Sequence, residues 1–504
     1  MSGCVGYDDG EGDRETTPST KLLLLVAPLI LVSLFVAALG PAKVFQWDYK
    51  SPWWAGGAGW SSPQDVEAPP AEQSLGLVRK DSDVNQSVAS PPPSENPGGF
   101  SIKNATADSK KELTVLERLE AGLQAARLAI RKAKSEDQAQ EVDPDYVPSG
   151  PMYWNPRTFH RSYLEMEKQF KIYIYKEGEP PLCHDGPIKG IYSIEGNVIS
   201  QLEMDGRFQT NDPEKAHVFL LPFSVTSIVV FVFEGATHDW HPMKRIVMDY
   251  VKVVSQKYPY WNRSLGADHL MVACHDWGPE LSFSVPNLYN NSIRALCNAN
   301  TSERFIPSKD VTLPEILSET GSLEGLVGGP PPSKRDILAF FSGGPDHGPI
   351  RPVLLEHWED KDPDIRAHRY LPKNMSYYDL LRRSKFCLCP SGYEVASPRV
   401  VESLYTGCVP VLISSGYVAP FSDVLNWETF AVILAPEDIP NLKRVLTSIS
   451  SKQYLKMHKR GLQMRRHFMA NFPPKRYDVY HMILHSIWLR RLNVRVYDEG
   501  PRDI

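Results

Sequence analysis

Hydrophobic positions along this chain change pattern several times, and each change predicts a different element. Residues Leu22 to Ala42 form one uncharged run, LLLLVAPLILVSLFVAALGPA. As a helix it is long enough to cross a bilayer core of about 30 Å, and it exceeds the apolar core of a cleaved signal peptide, so it predicts a membrane anchor. From Ser51 to about Lys110 apolar positions thin out among Pro, Gly and Ser (SPWWAGGAGWSSP, ASPPPSENPGG). Such a composition buries too little surface to offset chain entropy and reads as a disordered stem. Between Lys111 and Lys134, Leu116, Leu119, Leu123, Ala126 and Ile130 recur three and four apart, on one stripe of an amphipathic helix. That stripe suits either a short dimerising coil or packing on the body of the protein.

From about Val147 short β-branched and aromatic runs alternate with helical patterns. KIYIY (Lys171–Tyr175), AHVFLLPF (Ala216–Phe223), SIVVFVF (Ser227–Phe233) and HLMVAC (His269–Cys274) read as strands. After the Gly/Pro segment Gly325 to Pro332, so do DILAFFS, SKFCLCP, CVPVLIS and FAVILA. Strand and helix alternation predicts an α/β fold with largely parallel sheets, and the Gly/Pro segment marks the boundary between two such domains. The map is a tail over 1–21, an anchor over 22–42, a stem over 43–110, and an amphipathic helix with linker over 111–146. An acceptor-side α/β domain follows over 147–328, a donor-side one over 329–470, and a C-terminal helix and tail over 471–504.

A length of 504 residues accommodates an anchor and two ordinary domains. The net charge is only -5 and no dense Lys/Arg tract tracks phosphates, so nucleic acid is not an expected partner. Arg14 and Lys21 before the apolar run are matched by Lys43 and Lys50 after it, which leaves orientation open by the positive-inside rule. Sequons break the tie. Asn85, Asn104, Asn262, Asn290, Asn300 and Asn374 all begin N-x-Ser/Thr triplets, and all follow the run. Cys183, Cys274, Cys297, Cys387, Cys389 and Cys408 lie on the same side, with Cys4 alone on the other. Together they predict a lumenal body behind a type II anchor. The spacing does not pair the cysteines, and buried free thiols fit as well as disulfides.

The densest chemistry lies in SKFCLCPSGYEVASPRVVESLYTGCVPVLIS, Ser384 to Ser414. Phe386 to Cys389 reads as a buried strand, Pro390 to Ala396 as a loop, Ser397 as an N-cap, Pro398 as first turn and Gly407 as helix end. The next strand follows at Val409. This is a βαβ unit whose helix begins at the carboxyl ends of the strands, where open α/β sheets bind ligands. Its unpaired N–H groups and dipole suit a diphosphate, with Ser397 and Arg399 as added donors. Glu402, about one turn on, can accept from a ribose diol. Ser391, Gly392 and Glu394 in the loop are further donor-site candidates.

A second loop, FFSGGPDHGPIR (Phe340 to Arg351), places Gly343 and Gly344 where backbone can approach a phosphate, with Arg351 and the earlier Arg335 as neutralising cations. In the first domain, ADHLMVACHDWG (Ala267 to Gly278) delivers His275 and Asp276 at a strand end. Either suits a base that removes a proton from an acceptor hydroxyl. Asp268 and His269 read as groups that only position that strand. Glu195, in IYSIE, is an alternative acid for the same task.

Glu394 to Glu402 is similar to the Glu-x7-Glu element of GT-B glycosyltransferases. CLCPSGYEVASPRVVESLYTGCVPVLISSGYVAPFSDVLNW resembles the signature of the exostosin family, glycosyltransferase family 47, in its plant branch that includes xylogalacturonan xylosyltransferase-like proteins. RDILAFFSGG, HGPIR and the DHxxxxxHDW pattern share the likeness, which runs from roughly Tyr153 to Leu489. It implies a GT-B architecture, two Rossmann-like domains facing a cleft. It also implies a type II Golgi membrane protein that inverts configuration as it moves a sugar from a nucleotide donor, UDP-linked, to a cell-wall polysaccharide or other glycan. A non-catalytic glycan-binding or scaffold subunit is the competing reading, and homo- or hetero-oligomerisation stays open. No metal cofactor is expected: Asp81-Ser-Asp83, Asp143-Pro-Asp145 and Asp362-Pro-Asp364 lie in the stem, the linker and a charged turn, none after an apolar strand.

Overall fold

The computed structural model describes residues 113–135, 143–319, 323 and 325–497. The expected tail, anchor and stem, with Asn85 and Asn104, lie outside them. Among the described residues no helix is long and apolar enough to cross a membrane.

Helix α1 (Val115–Lys132) opens on a capping box, in which Thr114 Oγ1 accepts from the Glu117 N–H at 3.1 Å and the Glu117 carboxylate accepts from the Thr114 N–H at 2.7 Å. Its stripe buries Leu116, Leu123 and Ala126 against the body, chiefly helix α2 (Pro156–Gln169). Glu120 accepts from Arg491 at 2.6 Å, and Arg127 donates to the Leu492 and Val494 carbonyls. The stripe therefore packs on its own chain.

Strands β1 (Ile172–Ile174), β2 (Val218–Leu220), β3 (His269–Ala273), β4 (Ile293–Leu296) and β5 (Val311–Thr312) form a parallel sheet in chain order. All are buried on both faces, which explains their near-continuous apolar runs. Helix α3 (Ser193–Met204) follows β1. The expected strand SIVVFVF is instead helix α4 (Val225–Val232), capped by Ser224 Oγ on the Ser227 N–H. Its β-branched composition suggests a strand, yet Val225, Ile228 and Val229 are buried while Val230 and Phe231 are exposed, a helical period.

The second sheet joins β6 (Ile337–Ser342), β7 (Ile365–His368), β8 (Ser384–Pro390), β9 (Val409–Ile413) and β10 (Val432–Leu434), again parallel, in the order β10-β9-β8-β6-β7. The chain moves one way from β6 to β7 and the other way at β8. The loops after β6 and β8 thus flank a topological switch point, the place where open α/β sheets form a ligand crevice. Helices α5 (Ile350–Trp358), α6 (Tyr377–Arg383) and α7 (Pro398–Thr406) connect these strands. Helix α8 (Val479–Asn493) returns to the first half, packing on α2, β4 and β5, with Arg490 donating to the Asp310 carbonyl and Arg491 to the His217 carbonyl. One core runs through both halves, gathering Leu270 and Val272 of β3 with Leu412 of β9, Val400 and Leu404 of α7, and Ile483 of α8.

Disulfide Cys274–Cys297 ties the ends of β3 and β4, and Cys387–Cys408 ties β8 to the approach to β9. Cys183 and Cys389 are buried free thiols, so both readings of the cysteines hold in part.

Candidate active site

The switch-point loops interlock through α7. Ser397, in extended backbone, caps the helix with its Oγ on the Arg399 N–H, Pro398 occupies the first turn, and Gly407 closes the far end at φ 72°. Arg399 reaches back across the crevice: its Nη2 and Nε donate to the Ser342 carbonyl at 2.9 and 3.3 Å, and its Nη1 to Ser397 Oγ at 3.2 Å. Gly343 makes room for it, since a Cβ there would lie 2.5 Å from Arg399 Nη2. Gly392 does the same for the ring of His347. Gly344 is less constrained, its Cβ position nearest Tyr370 Oη at 3.5 Å.

Arg351, in the first turn of α5, is 7% exposed and its Nε has no hydrogen-bond partner among the described residues. Burial, and then the positive charge of Arg399, lower its pKa to about 10, a sign that two guanidiniums converge without full compensation. Burial, followed by Arg351, also lowers His347 to about 4, so that ring is neutral near pH 7. Glu402 accepts from Tyr377 Oη at 2.8 Å and Tyr378 Oη at 3.3 Å, and burial raises its pKa above the ordinary carboxylate value.

From the first half, the loop after β3 brings His275 and Asp276. Tyr192 Oη donates to Asp276 Oδ1 at 2.7 Å and Asn298 Nδ2 to the Asp276 carbonyl at 3.1 Å. His275 Nδ1 accepts from the Trp277 N–H at 3.1 Å, its ring centroid 4.9 Å from that of Tyr192, and burial keeps its pKa below the usual histidine value. Asp276 meets the other half directly. Glu394 is held well above the carboxylate range by burial and then by the charges of Asp276 and Glu315. Glu315, just beyond β5, rises to about 8 through burial and then Asp276, while Arg399 and Arg351 oppose the rise. One cluster of mutually interacting charges therefore links Asp276 and Glu315 from the first half with Glu394, Arg351 and Arg399 from the second.

Residues 166–449 match the exostosin GT47 domain. This chain belongs to the exostosin family 47 of glycosyltransferases. Two Arabidopsis thaliana proteins named probable glycosyltransferases are 66% and 52% identical to it, over 78% and 75% of this chain and 76% and 82% of theirs. An Arabidopsis protein named a probable glucuronoxylan glucuronosyltransferase is 28% identical, covering 63% of this chain and 76% of its own. Among solved structures, Anabaena HepE with UDP-glucose aligns over 62% of this chain and 97% of its own at 10% identity, with a TM-score of 0.31. A likeness that low carries no weight for the site.

Several residues singled out in this exostosin-family sequence stand elsewhere. Arg335 is not a phosphate ligand: it donates to the carbonyls of Ser384, Thr406 and Pro330 at the closed, C-terminal end of α7. Ser391 spends its hydroxyl on the Ile413 carbonyl at 3.3 Å, tying two strand ends together. Glu195 is not a loop acid open to an acceptor. It lies in the first turn of α3, fully buried, and accepts from Ser224 Oγ, the Thr226 N–H and Oγ1, and the Cys274 and His275 N–H groups at 2.5–3.4 Å. Asp268 and His269 bond within the fold, to each other at 2.8 Å and on to Ser264 and Tyr175.

Of the sequons, Asn262, Asn290 and Asn374 are exposed. Asn300 is buried, its Oδ1 taken by Ser302 and its Nδ2 donated to Glu303 at 3.2 Å, so it presents no free amide for a glycan. Glu315 escaped the sequence reading, because VTLPEIL carries no local signal; only the contact of the two halves gives it meaning.

Proposed function

We propose that this chain is an inverting glycosyltransferase of GT-B architecture that moves a sugar from a UDP-sugar to a cell-wall polysaccharide or other glycan. One observation carries the reading: the buried guanidinium of Arg351 and the half-buried one of Arg399, at the N-terminus of α7, share one electrostatically linked cluster with the strand-end Asp276. In this scheme Arg351, Arg399 and the N–H groups of α7 neutralise the diphosphate as the bond between it and the anomeric carbon breaks. Gly343 and Gly392 let Arg399 and His347 reach in, Gly344 leaves its side open, and Glu402, already fixed by two tyrosines, takes the ribose. Asp276 accepts the proton of the acceptor hydroxyl as its oxygen attacks that carbon, with His275 packed beside it. Relatives named glucuronosyltransferases and the plant resemblance support a wall polysaccharide as acceptor.

The domain map given above, with a type II Golgi anchor at residues 22–42, a stem and a lumenal body, completes the proposal. Guanidiniums and dipole take the part that a divalent ion plays in GT-A enzymes, so no metal is required.

Detergent-solubilised full-length protein tests it. UDP should raise its melting temperature, a nucleotide-sugar panel on defined wall oligosaccharides should yield a product of inverted anomeric configuration, and EDTA should leave that activity in place. UDP binding without transfer from any donor would instead favour the scaffold-subunit reading. Protease on intact microsomes should trim only the N-terminal tail; digestion of the body would sink the topology.

A further inference from the structure

Aromatic rings lead away from Asp276 in an unbroken series. Tyr192, whose hydroxyl bonds to Asp276, has its ring centroid 4.9 Å from that of His275, and His275 lies 5.2 Å from Trp277. Trp277 in turn lies 4.0 Å from Trp240 and 4.8 Å, edge to face, from Phe233. Phe233 directly follows α4, and Trp240 precedes the helix His241–Lys257, so aromatic residues stand at both ends of the segment between those helices. Trp277, Trp240 and Phe233 are rooted against the core of the first half, yet each keeps part of its surface open, as do His275 and Asp276. The residues from Glu234 to Asp239 are all exposed. A connected set of large rings left open beside a reactive carboxyl is informative where a single exposed apolar residue is not.

The chemistry of the rim says what would cover these rings. Lys244, 6.0 Å from the Trp240 ring, donates to Glu280 at 2.6 Å, and Arg304 donates to the same carboxylate at 2.5 Å. Both cations are thus spent, while Glu234 and Asp239 are acidic, which ill suits an anionic lipid surface. A pyranose ring suits it well. Its C–H face lies on the electron-rich face of an aromatic ring, and its edge hydroxyls reach polar groups of this kind. The series also extends beyond the ring next to Asp276. A glycan whose reacting hydroxyl meets Asp276 would therefore lay a more distant sugar on Trp277 and Trp240.

We propose that Trp277, Trp240 and Phe233 form a stacking subsite for an internal sugar of the acceptor, so that the acceptor is a chain of sugars and not a single one. The inference rests on the reading of Asp276 as the acceptor-side base.

Calorimetric binding to the detergent-solubilised full-length protein, with UDP present, tests it. The probes are xylose, glucose, galactose and galacturonate, each beside its own β- or α-1,4-linked hexasaccharide. At least one hexasaccharide should bind, about tenfold more tightly than its single sugar. Trp240→Leu keeps apolar packing but loses the ring, and should weaken that hexasaccharide about fivefold; Trp240→Phe keeps a ring and should weaken it by less than about twofold. Unchanged UDP affinity and melting temperature serve as the check on folding. The subsite is overturned if Trp240→Leu binds as tightly as wild type, if Trp240→Phe loses as much as Trp240→Leu, or if single sugars bind as well as their hexasaccharides. It is also overturned, with the donor site kept, if wild type binds UDP but none of the hexasaccharides. If Trp240→Leu breaks up an oligomer in sedimentation while hexasaccharide binding stays intact, the rings belong to a protein interface and the proposal falls. Should Asp276→Asn prove fully active while the Trp240 effect persists, the base moves and the stacking subsite stands.

Discussion

Two pockets of buried acid flank the carboxyl end of β3, and they are finished differently. Behind the strand, Glu195 accepts five hydrogen bonds, two from the strand's own Cys274 and His275 N–H groups, and none of its capacity is left over. On the other side, Glu315 and Glu394 are almost as deeply buried, but among the described residues each leaves Oε2 without a donor, as Arg351 leaves Nε without an acceptor, and Glu394 bonds to the Asp276 carboxyl. Burial alone therefore does not separate Glu195 from Glu315 and Glu394; the state of their hydrogen bonds does. The same contrast separates Arg335, spent on carbonyls at the closed end of α7, from Arg351 at the open end.

The contrast breaks most visibly at Asp276. Asp276→Asn removes the proton acceptor but keeps the bond from Tyr192, so transfer should fall by about 100-fold or more with UDP affinity nearly unchanged. Steady-state rates beside UDP titration check this, and a fully active variant would move the base to another carboxyl of the cluster. Next in size is Glu195→Gln. A Gln amide accepts through its one oxygen only and turns its NH2 toward the remaining donors, so unfolding free energy should drop by about 2–3 kcal/mol, read from a denaturant midpoint. If stability holds and only the rate falls, Glu195 belongs to the chemistry after all.

Much of this was legible locally. Ser397, Pro398 and Gly407 each sit where their own backbone preferences put them, so the βαβ unit and its helix start could be read from one segment. The amphipathic stripe was legible too, though not its partners, of which α2 is the next helix along and α8 lies hundreds of residues away. Composition misled at SIVVFVF, where the cap from Ser224 and one-sided burial outweigh β propensity. The strands β4, β5 and β7 were missed: IRAL contains a buried arginine, Arg294, paired with Asp310, VT is two residues long, and IRAH buries only alternate residues. The roles of Glu195, Arg335 and Glu315 depend on groups tens or hundreds of residues away, which no spacing rule reports.

Smaller effects sharpen the comparison at α7. Arg399→Ala and Glu402→Ala each remove one charged group from the proposed nucleotide site while leaving apolar packing intact, and each should weaken UDP about tenfold, measured by calorimetry. Arg335→Ala is the control. It should lower the melting temperature, since buried carbonyls lose their donor, and leave UDP affinity alone; a loss of UDP binding there would erase the distinction between the two ends of the helix.

The smallest expected effect is a slope of stability with pH, and its sign follows from the front pocket. Glu315 in the folded protein has a pKa of about 8 against 4.5 for the unfolded group, so between those values the native state holds more protons than the unfolded one. Stability from this group is full below about pH 4.5 and is lost as pH rises through 8. Buried His467, His217 and His485, each lowered to about 3, chiefly by burial, act the other way: they cost stability as pH falls below 6.5. The two trends overlap in acid, which leaves pH 6.5 to 8 as the window where the Glu315 contribution stands apart. Across it the melting temperature of wild type should decline, and Glu315→Gln, which cannot ionise, should decline less. Since Glu394 and Asp276 share the titration, a residual slope in the variant is expected, and only parallel curves would show that Glu315 is not protonated in the native state.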